Sequence, residues 1–363
     1  MIALAIEKRL HASRALRAAV TLGSLSLALF LGGAVIAAVG VNPCGAYAAL
    51  CRGAFGTSYG LSETVVKAIP LLFCGLSVSL ALRMRLWNIG AEGQYVVGAL
   101  AASLVALVIP GLGRVSYFAL MLLASFAAGA LWGGIPGALR ARLNVSEIIT
   151  TLLMNWVAIY LIQFFVYGPL RGADGFPFTS PFPPPACLMR VGWGRVHAGA
   201  FLAAGAAVVL QLLLAKTVWG FEVKVIGDSP ECARYAGMAI RKNIFLVMTL
   251  AGGLSGISGF CQVAGVECRI PREVFAQYGY TAIVVAWLAK ARPLGVAIVA
   301  FLFGGLLTGG EMIQIELGVP ASVINILTGS ILFFLLAGDL FLNYRIVARR
   351  AGTARAAEGH IHG

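Results

Sequence analysis

Charge is what this sequence has least of. Only 11% of its 363 residues are Asp, Glu, Lys or Arg, where a soluble domain carries about 25%. A chain this long without that polar coat cannot dress a water-soluble fold, and 60% apolar residues with a mean hydropathy of +0.91 agree. The sequence describes an integral membrane protein. Any Gly-Lys pair is also missing, so there is no GxxxxGK[ST] loop to cradle phosphates, and this chain is not an ATPase of that kind. HExxH and CxxC are absent too. The four His are scattered, with His360 and His362 near the end, and show no metal-ligand spacing. No catalytic residue, metal site or cofactor is expected.

Acidic residues are outnumbered, 14 against 27 Lys and Arg, for a net charge of +13. No basic stretch interleaves with aromatics, so nucleic acid is not the expected partner. In a bilayer protein the excess belongs to cytoplasmic loops. Lys8, Arg9, Arg14 and Arg17 precede an apolar stretch from Ala18 to Val41. That stretch exceeds the roughly 7–15 residues of a signal-peptide core and reads as a first span. Apolar runs long enough for helical crossing then predict ten spans: 18–41, 64–82, 88–109, 115–138, 147–168, 196–215, 244–265, 279–289, 294–312 and 322–343. With the N-terminus inside, 19 of the 27 basic residues fall on the cytoplasmic side and 7 opposite, with Lys67 unassigned. The expected fold is an all-α polytopic membrane protein of about ten transmembrane helices with both termini cytoplasmic. Residues 1–17 form an N-terminal segment, 18–343 the membrane domain, and 344–363 a cytoplasmic tail.

Two connecting segments are long. Pro169–Arg195 lies opposite the cytoplasm, and Pro177, Pro181, Pro183, Pro184 and Pro185 make it extended rather than helical. Cys187 falls there, and Cys44 and Cys51 flank another loop on that side, but spacing names no disulfide. Small residues repeat at four-residue spacing in Gly129/Gly133/Gly137, Gly252/Gly256 and Gly305/Gly309, which predicts closely packed helices.

The second segment, 216–243, is polar and cytoplasmic, and it contains a helix signature. Ser229 suits an N-cap, Pro230 the first helical position, Glu231 the positive helix start, and Gly237 the left-handed stop. A helix over Pro230–Ala236 is too short to be stable alone in water and needs something to dock on. Glu231-Cys232-Ala233, with Arg234 and then Gly237, resembles the EAA-type coupling loop of ATP-binding-cassette (ABC) importer permeases. Cys232 stands where that family usually has Ala. Leu86-Trp87-Asn88-Ile89-Gly90-Ala91-Glu92-Gly93-Gln94 is similar to the FNIGAEGQ signature of nucleoside/simple-sugar-type permeases. Gly279–Ile283, Pro293–Gly295 and Gly304–Leu307 resemble that group's second-half signature. The resemblance runs in order over about residues 60–340.

Polar groups inside spans are costly and mark function or helix pairing. Asn88 and Glu92 share a helix face at i and i+4, with Gln94 beside them and Gly90 and Gly93 permitting a broken helix. Asn155 and Asn325 sit within apolar runs. These five are candidates for a substrate pathway. The competing reading is structural, with Glu92 pairing with Arg83, Arg85 or a backbone group, and Asn155 and Asn325 bonding between helices. Glu63 and Lys67 lie near the outer face.

The resemblance implies an inner-membrane permease subunit working with a cytosolic ATPase, a second permease subunit, like or unlike it, and an extracytoplasmic solute-binding protein, all in contact with lipid. It implies a nucleoside-like solute, with a simple sugar or a flavin-type heterocycle as alternatives. A different class, a secondary transporter driven by an ion gradient, would use Glu92 as its ion site and would not need the capped loop helix.

Overall fold

The computed structural model of the protein describes residues 2–8, 13–172, 176–271 and 277–350. Arg9, Arg272, Arg355, His360 and His362, and the tail from 351 onward, lie outside the described residues. In chain order the elements are β1 (Ile2–Lys8), α1 (Arg14–Ala38), α2 (Pro43–Cys51), α3 (Ser58–Arg83), α4 (Ala91–Val108), α5 (Arg114–Leu143), α6 (Glu147–Tyr167) and α7 (Gly199–Lys216). They continue as α8 (Val218–Asp228), α9 (Pro230–Tyr235), α10 (Ile240–Gln262), α11 (Tyr278–Leu288), α12 (Pro293–Leu317), α13 (Ala321–Asn343) and β2 (Tyr344–Arg350). Among the described residues, nine of these helices are long and apolar enough to cross a bilayer. They coincide with the apolar runs read from the sequence. The eighth run, 279–289, became α11, whose 11 residues measure about 16 Å, half of a hydrocarbon core of roughly 30 Å.

The chain divides into two compact units, one formed by Met1–Ala49 with Gly310–Gly363 and one by Leu50–Gly309. In the first unit α1 and α13 pack antiparallel, because Gly32 and Gly338 let the side chains of Leu327 and Ser24 close in. Ser13 caps α1, its Oγ accepting from Leu16 N–H at 3.1 Å. An antiparallel ribbon of β1 and β2, with Ile2 opposite Arg350 and Lys8 opposite Tyr344, joins the two ends of the chain. The ribbon was not legible in the sequence. It puts the start of α1 and the end of α13 at the same end of the first unit. α2 is a second difference: Asn42 Oδ1 accepts from Cys44 N–H at 2.9 Å and starts a helix where a loop was expected.

In the second unit α3 is the most enclosed helix, and α4, α5 and α10 pack together by their glycines. A Cβ on Gly129 or Gly256 would collide with the backbone of the facing helix, at Gly252 and Ser125 respectively. The four-residue glycine spacing therefore serves close packing inside this unit. Segment 216–243, expected to hold one short helix, holds two. Thr217 Oγ1 accepts from Gly220 N–H at 3.1 Å and so ends α7 and begins α8. α8 then buries Val223 and Ile226 while Val218 and Phe221 face outward.

Among its described residues the Pro-rich segment has no helix longer than the three-residue turn Pro184–Ala186, and it is fastened to the residues just after α10. Leu188 N–H donates to Ala264 O at 2.7 Å, Phe182 N–H to Cys268 O at 2.7 Å, and Ile270 N–H to Thr179 Oγ1 at 2.9 Å. Cys187 and Cys268 are disulfide-bonded, a pairing that spacing alone did not name.

Candidate functional site

Two neighbouring features of the second unit hold the candidate residues. The first is α9. Ser229 caps it, its Oγ accepting from Cys232 N–H at 3.3 Å, and Pro230 occupies the first helical position. At the other end Gly237 adopts φ 73°, with Met238 N–H donating to Ala233 O at 3.0 Å and Gly237 N–H to Arg234 O at 3.1 Å. That left-handed closure is why a residue without a side chain stands at 237. Ala233 is fully buried against the unit, whereas Glu231, Cys232 and Arg234 are exposed and Tyr235 is 94% exposed. The helix thus presents a polar and aromatic face outward while one small residue anchors it.

α9 connects directly to the ends of spanning helices. Gly227, at the end of α8, lies against the backbone of Arg83 and Met84, so closely that a Cβ would collide with Arg83 O. Arg83 Nε donates to Ala291 O at 2.9 Å, tying α3 to the turn between α11 and α12. Asn243 Nδ2, in the first turn of α10, donates to Glu222 Oε2 of α8 at 2.8 Å. Glu147 takes Arg140 Nε at 3.3 Å and Trp87 N–H at 3.4 Å. These arginines all gather at the α9 end of the unit.

The second feature starts from residues 84–90, which turn back into the bundle after α3. Asn88 Nδ2 donates to Ser77 Oγ at 3.3 Å. Ser77 lies six residues before the end of α3, so the motif sits about 9 Å inside that end. Asn88 and Gln94 pair through both amides, at 3.0 Å in each direction. Asn155 of α6 accepts from Gly93 N–H at 2.8 Å and donates to Ile89 O at 3.0 Å and Tyr280 Oη at 3.1 Å. One side chain therefore holds the start of α4, the returning segment and α11 together. Trp87 stacks on Trp287 at 5.4 Å, and Val78, Ala91 and Ala286 close the apolar contact around Leu82 and Ile283.

Glu92 is 1% exposed and does not meet Arg83 or Arg85 among the described contacts. Its Oε2 accepts from Gly279 N–H at 2.6 Å, at the start of α11. Glu92 itself lies in the first turn of α4. The carboxylate thus stands at two helix N-termini, each carrying roughly half a positive charge. This accounts for a buried carboxyl group with no basic partner among the described contacts.

Asn88, Glu92, Gln94 and Asn155 are thus brought into one buried network. Asn325 is not part of it; it lies exposed on α13 in the first unit. Glu63 Oε2 pairs with Arg195 at 3.3 Å, at the start of α3 away from α9. Sequence reasoning missed Ser77, Gly279 and Tyr280 as partners. Of these, Gly279 and Tyr280 stood in a quoted motif, but nothing in their spacing linked them to Glu92 or Asn155.

Comparison with known proteins adds an independent line. Residues 60–336 match the family model described as branched-chain amino acid transport system / permease component. The chain is 37% identical over 331 residues to a glucose ABC transporter permease of Haloferax volcanii, covering 88% of this chain and 87% of the relative. It is 34% identical over 325 residues to a guanosine ABC transporter permease of Bacillus subtilis, covering 87% and 92%. A nucleoside ABC transporter permease of Lactococcus lactis is 28% identical over 327 residues, covering 87% and 90%.

Proposed function

The chain belongs to the branched-chain amino acid transport system / permease component family, and on that footing we propose that it carries a nucleoside-like solute through the inner membrane. It is the membrane-spanning subunit of an ABC importer, a transport subunit and not an enzyme. Such permeases work with an ATPase and a solute-binding protein. With no Gly-Lys pair of its own, the chain relies on the separate ATPase for hydrolysis. A second permease subunit completes the pathway.

The observation that carries the coupling reading is α9 itself: a six-residue helix, capped at both ends, anchored by Ala233 and exposing Glu231, Arg234 and Tyr235. In this reading α9 faces the cytosol and docks on the ATPase. Movement on ATP binding passes through α8 to Arg83 at the contact with Gly227, and from Arg83 to the α11–α12 turn at Ala291. The returning segment 84–90 and half-helix α11 lie directly beyond that joint. They are the elements whose shift would alternate access. Asn88, Glu92, Gln94 and Asn155 hold them in register as a unit, a positioning role beside the pathway.

The nucleoside reading rests on the guanosine and nucleoside permeases among the relatives. A simple sugar is the second reading, favoured by the glucose permease at 37% identity. Both solute types present ring hydroxyls. The test is tagged purification from native membranes with uptake of labelled guanosine and glucose. The wild type is expected to bring down an ATPase and to take up guanosine under ATP. Glu231→Arg combined with Gly237→Pro is expected to lose the ATPase or uncouple it from uptake. Uptake that collapses with an ionophore, with no ATPase recovered, would overturn the importer reading.

A further inference from the structure

The outward face of α6 carries two rings whose polar tips are left over. α6 packs against α4 and α5, and it buries Thr151, Asn155, Ala158 and Ile162. Trp156 and Tyr160, one turn apart, stand outside that buried face and are 53% and 64% exposed. Their rings meet at 6.3 Å with planes 31° apart. Neither the Trp156 indole N–H nor the Tyr160 hydroxyl reaches a hydrogen-bond partner among the described residues.

Their depth sets them apart. α6 has 21 residues and is about 31 Å long, enough to cross one hydrocarbon core. Trp156 lies about 14 Å from its start and Tyr160 about 10 Å from its end. The other exposed Trp and Tyr among the described residues avoid mid-span. Tyr59 and Tyr167 sit at ends of α3 and α6, Tyr235 and Trp287 at the ends of α9 and α11, and Trp87 and Trp193 in connecting segments. There water can take the bond from the polar tip, which is why such residues collect at the edges of a bilayer. The exposed aliphatic and aromatic side chains at mid-span on the other helices are of the kind of Leu27, Leu123, Val208 and Leu302, with no polar atom to satisfy.

Lipid tails offer nothing to an N–H or an O–H, and removing such groups from water without a bond is costly. The Trp156–Tyr160 face therefore meets something that forms hydrogen bonds. We propose that these two side chains are a stacking platform for the solute, and that the part recognised is a flat heteroaromatic ring. Aromatic side chains stack on any base through its π-face. Two rings one helical turn apart, about 5.4 Å, suit a fused bicyclic ring, whose edge carries acceptors for the N–H and O–H. The neighbouring Asn155 donates to Ile89 O at 3.0 Å and to Tyr280 Oη at 3.1 Å. Solute on the platform thus lies on the same turn of α6 as the side chain that holds segment 84–90 and α11. This inference rests on the importer reading above and names the ring as what that importer recognises.

The experiment measures uptake of labelled guanosine and glucose in cells carrying the whole importer, and photolabelling of the purified permease–ATPase complex with azidoguanosine. Trp156→Leu and Tyr160→Leu are each expected to lower guanosine uptake about tenfold, while Trp156→Phe, which keeps a ring, loses much less. Recovery of the ATPase and the melting temperature are expected to stay as in wild type. The photolabel is expected to mark α6, to be displaced by guanosine, and to fade in the Leu variants. Unaltered guanosine uptake in both Leu variants assigns the face to lipid and overturns the platform. A lower melting temperature or a lost subunit, with photolabelling of α6 absent in wild type, assigns it to protein packing and overturns the platform too. Both results leave the nucleoside reading standing. A wild type that takes up glucose under ATP and no guanosine overturns that reading, and the heteroaromatic ring with it.

Discussion

Glu92 and Gly279 meet across two helices, the carboxylate of one accepting the backbone N–H of the other at 2.6 Å. The contact puts a carboxyl oxygen at the start of a helix that begins inside the bundle, where a free N-terminus would otherwise leave N–H groups unbonded. It joins the first half of the family signature to the second, 187 residues apart.

Glu92→Gln keeps an oxygen for Gly279 but removes the charge facing two helix starts. It is expected to cost about 1–2 kcal/mol, and Glu92→Ala more, since Gly279 N–H is then left unbonded. Thermal unfolding of the purified complex measures both. If Glu92→Gln is as stable as wild type, the charge does no work at this position.

Asn155 and Asn325 looked alike in the sequence, each an amide in an apolar run. Asn155 is fully buried with three partners, so Asn155→Leu is expected to cost about 2–4 kcal/mol and to abolish uptake. Asn325 is exposed, and Asn325→Leu is expected to stay within about 0.5 kcal/mol of wild type. Parallel melting curves and uptake assays compare them.

Much of the fold was legible because crossing a bilayer demands about 20 apolar residues per helix, and that demand writes itself into composition. α9 was legible for a different reason: caps are local, and Ser229, Pro230 and Gly237 act on their own neighbours. What the sequence withheld was long-range. That Glu92 takes Gly279 rather than Arg83, that Asn155 reaches Tyr280, and that Cys187 joins Cys268 each depend on which helices pack together, and periodicity does not report this. α8 was hidden because Phe221 and Val218 face outward and blur its amphipathic pattern. The β1–β2 ribbon pairs the two ends of the chain, the longest separation of all.

His197 gives a pH prediction. It is 1% exposed, and its Nδ1 accepts from Gly199 N–H at 3.2 Å, so the neutral ring is the form that fits. Burial, helped by the Arg195 cation, pushes its pKa down from 6.5 to about 4. The unfolded chain then takes up the proton first as pH falls. Stability is fully present above about 6.5 and is lost progressively toward pH 4, by roughly 3 kcal/mol in total. The melting temperature of His197→Asn, which keeps an acceptor but does not titrate, is expected to fall less over that range. An unchanged slope in the variant would assign the acid loss to other groups.

The Cys187–Cys268 bond closes a loop of sequence separation 81. Its removal in Cys187→Ser with Cys268→Ser is expected to cost about 2–4 kcal/mol and to loosen the 176–198 segment to proteolysis. Limited digestion with and without reductant checks this. Equal protection in both conditions would show that the hydrogen bonds at Leu188, Phe182 and Ile270 suffice.

The account turns on α9 being the element that touches the ATPase. Cys232 is exposed on that helix and supplies a native thiol for a short bifunctional cross-linker in native membranes. With the other exposed thiols, Cys44 and Cys51, changed to Ser, the account predicts that Cys232 cross-links to the ATPase chain and that the yield changes when ATP is trapped. A Cys232 that reacts freely with small thiol reagents yet never cross-links to an ATPase would contradict it.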